Sequence, residues 1–364
     1  MMPFTILGQG TAVPQHFIKR EHAVALARRH FAKTERQQKL IPALYRMAGV
    51  NKRHCTVLTS SSNGNAEPAY QLLYAPRGEG DMGPAVSDRM QFYEAYAFPL
   101  AEQAAAQALE RAQVNASDVT HLVTVSCSGF FAPGVDVKLI KHLGLPFTVE
   151  RAHIGFMGCQ GALNGLRVAQ GFAAHRPDAR VMLCAVELCS LHYHYGWDPD
   201  RVVANALFAD GSAAVIGAPR REGTPWQIRD TGACLIPDSE DAMTWRIGDN
   251  GFEMSLAATV PSLIQSHLRP WLEAWLSQND LTLADIRTWA VHPGGPRILS
   301  SVANALELPD GALEVSKSVL QEYGNMSSPT ILFILDRLRG ADAPRPCVAL
   351  AFGPGLMAEA TLFV

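Results

Sequence analysis

The chain has 364 residues, 48% of them apolar, with a formal net charge of −3 and no long basic run; it can bury a large core, forms two or three domain-sized units or one fused pair, and is not built for bulk nucleic-acid binding. Its seven cysteines, at 55, 127, 159, 184, 189, 234 and 347, contain no CxxC pair and leave an odd one, which indicates neither a zinc ribbon nor a disulfide framework and fits a reducing cytoplasm. Residues 1–8 carry no basic n-region and no apolar run is long enough to span a bilayer, so the expectation is a soluble cytoplasmic protein with no integral membrane association.

Along the chain, residues 4–7 read as a strand and Gly8-Gln9-Gly10 as a turn after it, since the third glycine of a dinucleotide fingerprint is missing. Residues 59–83 are rich in Gly, Pro, Ser and Asn with little periodicity and read as a surface excursion. Residues 101–114 look helical and lead through Ala116-Ser117-Asp118-Val119 into a strand at 121–126, followed by Cys127-Ser128-Gly129. A second copy of that unit follows: a helical pattern at 263–276, then Leu283-Ala284-Asp285-Ile286, then a strand at 288–292 and a Pro/Gly turn. The repetition points to a duplicated α/β fold in which one strand end delivers Ser126 and Cys127 and its counterpart delivers His292, though two short helix–strand units also resemble each other by chance. Further strands are expected at 181–186, 213–216 and 348–351.

Chemistry concentrates in three places. In Gly155-Phe156-Met157-Gly158-Cys159-Gln160-Gly161 a Gly-rich turn gives way to the helical spacing of Ala162, Leu163, Leu166, Ala169 and Phe172, which puts Cys159 near a helix N-terminus, where unpaired N–H groups favour thiolate. Alone, Cys159 reads first as a buried core cysteine; two later motifs point the other way. His292 closes a strand just before Pro293-Gly294-Gly295-Pro296, where side chains reach a cleft, and Asn325 stands on the Gly324-Asn325 turn ahead of an apolar helix. Nucleophile, imidazole and amide donor together supply the parts for acyl transfer from a thioester. His192 and His194 alternate as if on one strand face, but no third ligand is evident and no metal is expected.

These motifs, with Ala206-Leu207-Phe208-Ala209-Asp210-Gly211-Ser212, Gly324-Asn325-Met326-Ser327-Ser328 and the terminal Ala351-Phe352-Gly353-Pro354-Gly355, resemble those of the chalcone synthase-like type III polyketide synthases of the thiolase superfamily, in the family's order and over nearly the whole chain. The resemblance implies a five-layered, thiolase-like αβαβα fold of two duplicated halves, residues 1–220 carrying the nucleophilic cysteine and 221–364 the histidine and asparagine. It implies acyl-CoA and malonyl-CoA as substrates, no cofactor, and a homodimer in which the segment 130–134 forms part of the interface. Cys159 would attack a starter acyl-CoA as a thiolate held by a His292 imidazolium, and His292 and Asn325 would stabilise the enolate formed when malonyl-CoA loses carbon dioxide.

Phe208 matches the family's gatekeeping phenylalanine and Phe252 a second, each also readable as a core aromatic; Ser327 and Gly355 fall in the matched motifs and are expected at the substrate. Arg46, Lys52, Arg53 and Arg297 are expected to bind CoA phosphates, with solvated surface charge as the plain alternative. The cavity departs from the chalcone-forming pattern: Cys127 and His192 stand where threonines are usual, Met243 where glycine is typical, and Ala132 replaces a methionine. Glu187, if buried, demands hydrogen-bonding partners. The resulting function is iterative condensation ending in a pyrone, resorcinol or phloroglucinol-type product. A single-condensation enzyme like ketoacyl-acyl-carrier-protein synthase III, which shares a Cys-His-Asn triad, is the alternative, and a non-catalytic binding subunit a third.

Overall fold

The computed structural model describes residues 4–78, 80–219 and 226–364, so the expected junction of the halves at 220 falls outside the described residues. The strands are β1 (Phe4–Ala12), β2 (Phe17–Lys19), β3 (Lys52–His54), β4 (His121–Ser126), β5 (Glu150–Gly155), β6 (Val181–Leu188), β7 (Asp210–Pro219), β8 (Gln227–Leu235), β9 (Met243–Gly248), β10 (Gly251–Leu256), β11 (Thr288–Val291), β12 (Cys347–Gly353) and β13 (Met357–Phe363). The helices are α1 (Arg20–Phe31), α2 (Glu35–Met47), α3 (Val86–Ala112), α4 (Val135–Leu143), α5 (Gly161–His175), α6 (Pro199–Leu207), α7 (Val260–Ser277), α8 (Pro296–Leu306), α9 (Glu314–Tyr323) and α10 (Pro329–Gly340).

Nine strands join in the order β11-β12-β13-β8-β1-β7-β6-β4-β5. The joint between β8 and β1 is only the pairs Phe4↔Ile228 and Thr5↔Gln227, so the sheet is two sheets meeting at a narrow seam. On each side the same pattern recurs. β4 runs parallel to β6, which is antiparallel to β7; β11 runs parallel to β12, which is antiparallel to β13. Each repeat starts with a single 3-10 turn, Ala116–Asp118 before β4 and Leu283–Asp285 before β11, so the duplication expected from the sequence is present in the backbone.

Side-chain alternation along the strands sorts the core into layers. Ala349 and Ala351 of β12 face inward with Leu163 and Leu166 of α5 and Ile331 and Leu335 of α10, while Val348 and Leu350 face outward with Leu268 and Leu272 of α7 and Val302 of α8. In the other half Val123 and Val125 of β4 join α5 and α10, and Leu122 joins Ala101, Ala104 and Ala108 of α3. Outer helices, sheet, α5 with α10, sheet, outer helices make the five layers.

Gly8-Gln9-Gly10 is not a turn: it lies inside β1, because a Cβ at Gly8 or Gly10 would overlap the backbone of α3 at Ala108, Ala112 or Ala104, and two glycines let helix and strand touch. The excursion at 59–83 is likewise less superficial than its composition implies, since Tyr74 is buried.

Candidate active site

Cys159 sits in a 3-10 turn, Gly158–Gln160, that feeds directly into α5. Gly158 takes φ +68°, and a Cβ there would overlap Pro354, so only glycine brings the chain around this corner. The amide of Gly158 donates to Cys127 Sγ at 3.0 Å, which ties the end of β4 to the nucleophile turn. Asn325 arrives from the other half: its N–H donates to the Leu207 carbonyl at 2.9 Å and its carbonyl accepts from Ala209 N at 2.9 Å, a bridge that straddles Phe208. The Ser327 amide donates to Asn325 Oδ1 at 2.8 Å, and Oδ1 and Nδ2 of Asn325 each stand 3.9 Å from Cys159 Sγ.

His292 follows β11 at the same sheet end. Its amide donates to Leu350 O at 2.8 Å on β12, and β12 runs on to Gly353, where a Cβ would stand 2.5 Å from Met157 O in the nucleophile turn. The ring is 1% exposed and neither nitrogen has a hydrogen-bond partner among the described residues. Burial pushes the His292 imidazole down to about 3 and the Cys159 thiol up to about 11, against hydrogen bonds from Ser327 and Asn325 that pull the thiol back. Desolvation favours the neutral form of both groups, the helix terminus and the hydrogen bonds to the thiol favour thiolate, and no hydrogen bond joins the two side chains among the described residues.

Glu187, at the end of β6, is fully buried and accepts from the amides of Cys127 and Ser128, both at 2.9 Å, and from the hydroxyls of Ser128 at 2.6 Å, Ser328 at 2.8 Å and Ser126 at 3.3 Å. The carboxylate thus stitches the ends of β4 and β6 to the start of α10, and burial holds its pKa above the ordinary carboxylate range.

The cavity in front of Cys159 encloses about 810 Å3 of space, part of it open to solvent, and Cys127, His192, Phe208, Met243, Phe252 and Ser327 line it. Gly355 does not; it takes φ +78° and its carbonyl accepts from Ser239 Oγ at 3.1 Å, a turn role that leaves Pro354 as the lining residue. His192 lies in a 3-10 turn, Cys189–His192, rather than on a strand. Its Nε2–H donates to Ser128 O at 2.6 Å and its Nδ1 accepts from Phe252 N at 2.9 Å, which fixes one neutral tautomer, and its ring stacks on Phe252 at 4.1 Å. His194 Nε2 donates to Phe252 O at 3.1 Å, so the two histidines clamp one residue of β10.

Trp245 went unnoticed in the sequence; its Nε1–H donates to Cys127 O at 2.7 Å and its ring meets Phe252 edge-on. The available signal was period-two alternation, Met243/Trp245 on β9 and Phe252/Met254 on β10, which puts all four on the cavity.

His192, like His292, is held neutral by burial, its pKa pushed down to about 3 from 6.5. Between those values the unfolded chain binds protons that the folded chain refuses, so stability is full above pH 6.5 and is lost as pH falls, by on the order of 1.4 kcal/mol per pH unit for each histidine. Urea unfolding at pH 7 and pH 5 is expected to show this loss and His192→Gln to reduce it; an unchanged difference in the variant would refute the assignment.

Of the four cations expected at CoA, Arg53 is corrected. It is 3% exposed, donates to Tyr193 Oη at 3.1 Å and lies against the rings of Tyr45 and Tyr193, so it cannot reach a phosphate at the surface. Arg46 and Arg297 are exposed and Lys52 is half-buried. A Cβ at Gly49 would stand 2.7 Å from Pro296 Cγ, so the turn after α2, between Arg46 and Lys52, packs against the start of α8, where Arg297 stands.

Both halves match family models: residues 2–219 the N-terminal domain of chalcone and stilbene synthases, and residues 227–364 their C-terminal domain. The chain belongs to that family. It is 35% identical over 359 residues to a 1,3,6,8-tetrahydroxynaphthalene synthase of Streptomyces peucetius subsp. caesius, covering 97% of this chain and 90% of the relative. It is 34% identical over 287 residues to the alpha-pyrone synthesis polyketide synthase-like Pks18 of Mycobacterium tuberculosis, covering 76% of this chain and 73% of the relative. The crystal structure of PKS-I from the brown alga Ectocarpus siliculosus superposes with a TM-score of 0.92 at 30% identity, covering 100% of this chain and 98% of that one. The protein is a type III polyketide synthase, an acyltransferase with a thiolase-like fold, and the single-condensation alternative is set aside. Among the described residues no helix is long and apolar enough to cross a membrane.

Proposed function

We propose that residues 1–220 supply the nucleophile and 221–364 the histidine and asparagine of an iterative, CoA-dependent condensing site. The reading rests on Cys159, which lines the cavity, and Asn325, 166 positions away in sequence, meeting at 3.9 Å. Cys159 attacks the starter thioester, its proton passing to His292 and then to the departing CoA thiolate. His292 and Asn325 Nδ2 hold the malonyl thioester carbonyl; carbon dioxide leaves, and the carbanion of the resulting enolate attacks the acyl-Cys159 carbonyl, returning the cysteine sulfur and a diketide on CoA. Repetition in a cavity walled by Phe208, Phe252, His192, Met243 and Cys127 leads to a cyclised pyrone, resorcinol or phloroglucinol-type product. Mass spectrometry of products from malonyl-CoA with acetyl-, medium-chain, long-chain and aromatic acyl-CoAs tests this: products with two or more malonyl-derived units support it, and one-unit products alone refute it.

Arg46, Lys52 and Arg297 would meet the CoA phosphates. Arg297→Glu and Arg46→Glu are expected to raise KM for malonyl-CoA severalfold, roughly as one screened charge contact each, with kcat little changed and the effect shrinking in high salt; equal losses for a short pantetheine thioester would refute the placement. The enzyme is further proposed to work as a cytoplasmic homodimer. In support, among the described residues β5 pairs only with β4 and leaves its other edge unpaired, with Phe130 and Met157 exposed nearby. Sedimentation at micromolar concentration should give twice the chain mass, and a monomer would end this proposal.

A further inference from the structure

Arg89, in the first turn of α3, is fully buried, and no carboxylate pairs with it among the described residues. Its donors go to main-chain carbonyls instead: Nε to Pro84 O at 2.8 Å, and Nη1 to Leu191 O and, at 3.2 Å, to Tyr193 O. The last two carbonyls flank His192, the cavity residue that bonds Ser128 O and Phe252 N and stacks on the Phe252 ring. Arg89 itself does not line the cavity.

Two loops close on the same guanidinium. A Cβ at Gly83 would stand 2.8 Å from Nη2, and one at Gly251, the first residue of β10, 3.2 Å from Cζ. Both glycines hold positive φ, +85° and +124°, so the main chain approaches where no side chain fits. The loops are also joined to each other: Val86 N donates to Asp249 O at 2.9 Å and Asn250 Nδ2 to Gly83 O at 3.2 Å. One side chain thus meets both the turn that carries His192 and the hairpin that carries Phe252, the two sides of the stack. Burying a cation without a counter-ion is costly. A guanidinium suits the place because its planar fork serves several carbonyls from one centre, which a compact ammonium does not.

We infer that Arg89 is a positioning residue that acts through His192: it holds the main chain on both sides of that residue, keeps the His192–Phe252 stack as a fixed wall of the cavity, and so limits how many malonyl-derived units are added before release. The inference deepens the iterative type III reading and rests on it. Without the guanidinium, the Leu191 and Tyr193 carbonyls lose this donor and space opens behind the turn. The wall then recedes, and a longer chain fits before it closes into a ring.

The test compares wild type, Arg89→Met, His192→Ala and the double variant, each given malonyl-CoA and the acyl-CoA that primes wild type best. Mass spectrometry gives the ratio of longer products to the main wild-type product, and labelled carbon dioxide gives the rate of malonyl-CoA decarboxylation. Arg89→Met is expected to raise the ratio by more than about threefold in the wild-type background and to leave it unchanged in His192→Ala, because residues that act through one another do not add. Decarboxylation per folded enzyme should stay within about twofold, since Arg89 touches neither His292 nor Asn325. A merely structural role would lower all products and decarboxylation together and leave the ratio still. Should Arg89→Met fail to fold in a melting scan, Arg89→Lys takes its place, with a rise of about twofold expected because the ammonium serves fewer carbonyls. An unmoved or lowered ratio, or an equal rise in both backgrounds, would overturn the role of Arg89 and leave the type III reading standing. A wild type that adds no second malonyl unit to any starter would sink both.

Discussion

Cys159→Ala is expected to abolish chain building while sparing the decarboxylation of malonyl-CoA. The split follows from the proposed roles: Sγ as the acyl acceptor, and as donors for the enolate the Asn325 side chain, held by the Ser327 amide rather than by the cysteine, and the unpartnered His292 ring. Removing the sulfur leaves those donors in place. Condensation should fall to background, a loss of about 10³-fold or more, as when a nucleophile is deleted from an acyl-transfer site, and release of carbon dioxide from malonyl-CoA should persist. Asn325→Ala should do the reverse to the donors and cost decarboxylation about 10²- to 10³-fold. Labelled carbon dioxide and product mass, measured on the same samples, separate the two; a Cys159→Ala protein that neither condenses nor decarboxylates would contradict the division of roles.

The second large effect belongs to Glu187, which is outside the reacting groups. Glu187→Ala removes the shared acceptor of two amides and three hydroxyls at once. A serine hydroxyl can rotate to a new partner, but the Cys127 and Ser128 amides cannot, and each buried donor left unmet costs about 1–3 kcal/mol. A destabilisation of about 3 kcal/mol or more is expected, lowering the melting temperature by roughly 5 °C. Activity should fall further than stability accounts for, because Cys127 Sγ receives the Gly158 amide and Ser328 follows the Asn325 loop. Glu187→Gln should fall between, since its carbonyl oxygen still accepts while its amide nitrogen faces donors. Equal melting temperatures for wild type and Glu187→Ala would show that the stitch carries no weight.

Much of this was legible in the sequence because the informative features are local. The two 3-10-to-strand units were visible as repeated Ala-x-Asp patterns, and the Gly158-Cys159 corner as a glycine before an apolar helical stripe. What escaped were consequences of long-range contact. Gly8 and Gly10 look like a turn until α3 lies against them. Arg53 looks like a surface cation because burial between two tyrosines depends on Tyr193, 140 positions away. The pull of the helix terminus on Cys159 is local and readable, whereas the desolvation that opposes it comes from the layers closing over Cys159 and His292. Trp245 lay within reach of period-two reasoning, but the β9–β10 hairpin stands apart from the main sheet and offers no repeat to flag it.

The backbone bridge between Phe208 and Asn325 has a bearing on how such an enzyme can diversify. Phe208 cannot be remodelled freely, because its neighbours Leu207 and Ala209 bond the Asn325 main chain: any substitution that shifts the backbone at 208 also moves Asn325, the proposed amide donor. The β9–β10 hairpin reaches the cavity through the Phe252 main chain, clamped by His192 and His194, and through side chains, among them Trp245 Nε1 on Cys127 O and the Phe252 stack on His192. New product spectra are expected from exchange at hairpin positions that leave those ties in place, and Met243 and Met254, which line the cavity, are the natural ground for a library that seeks new ring systems without loss of rate.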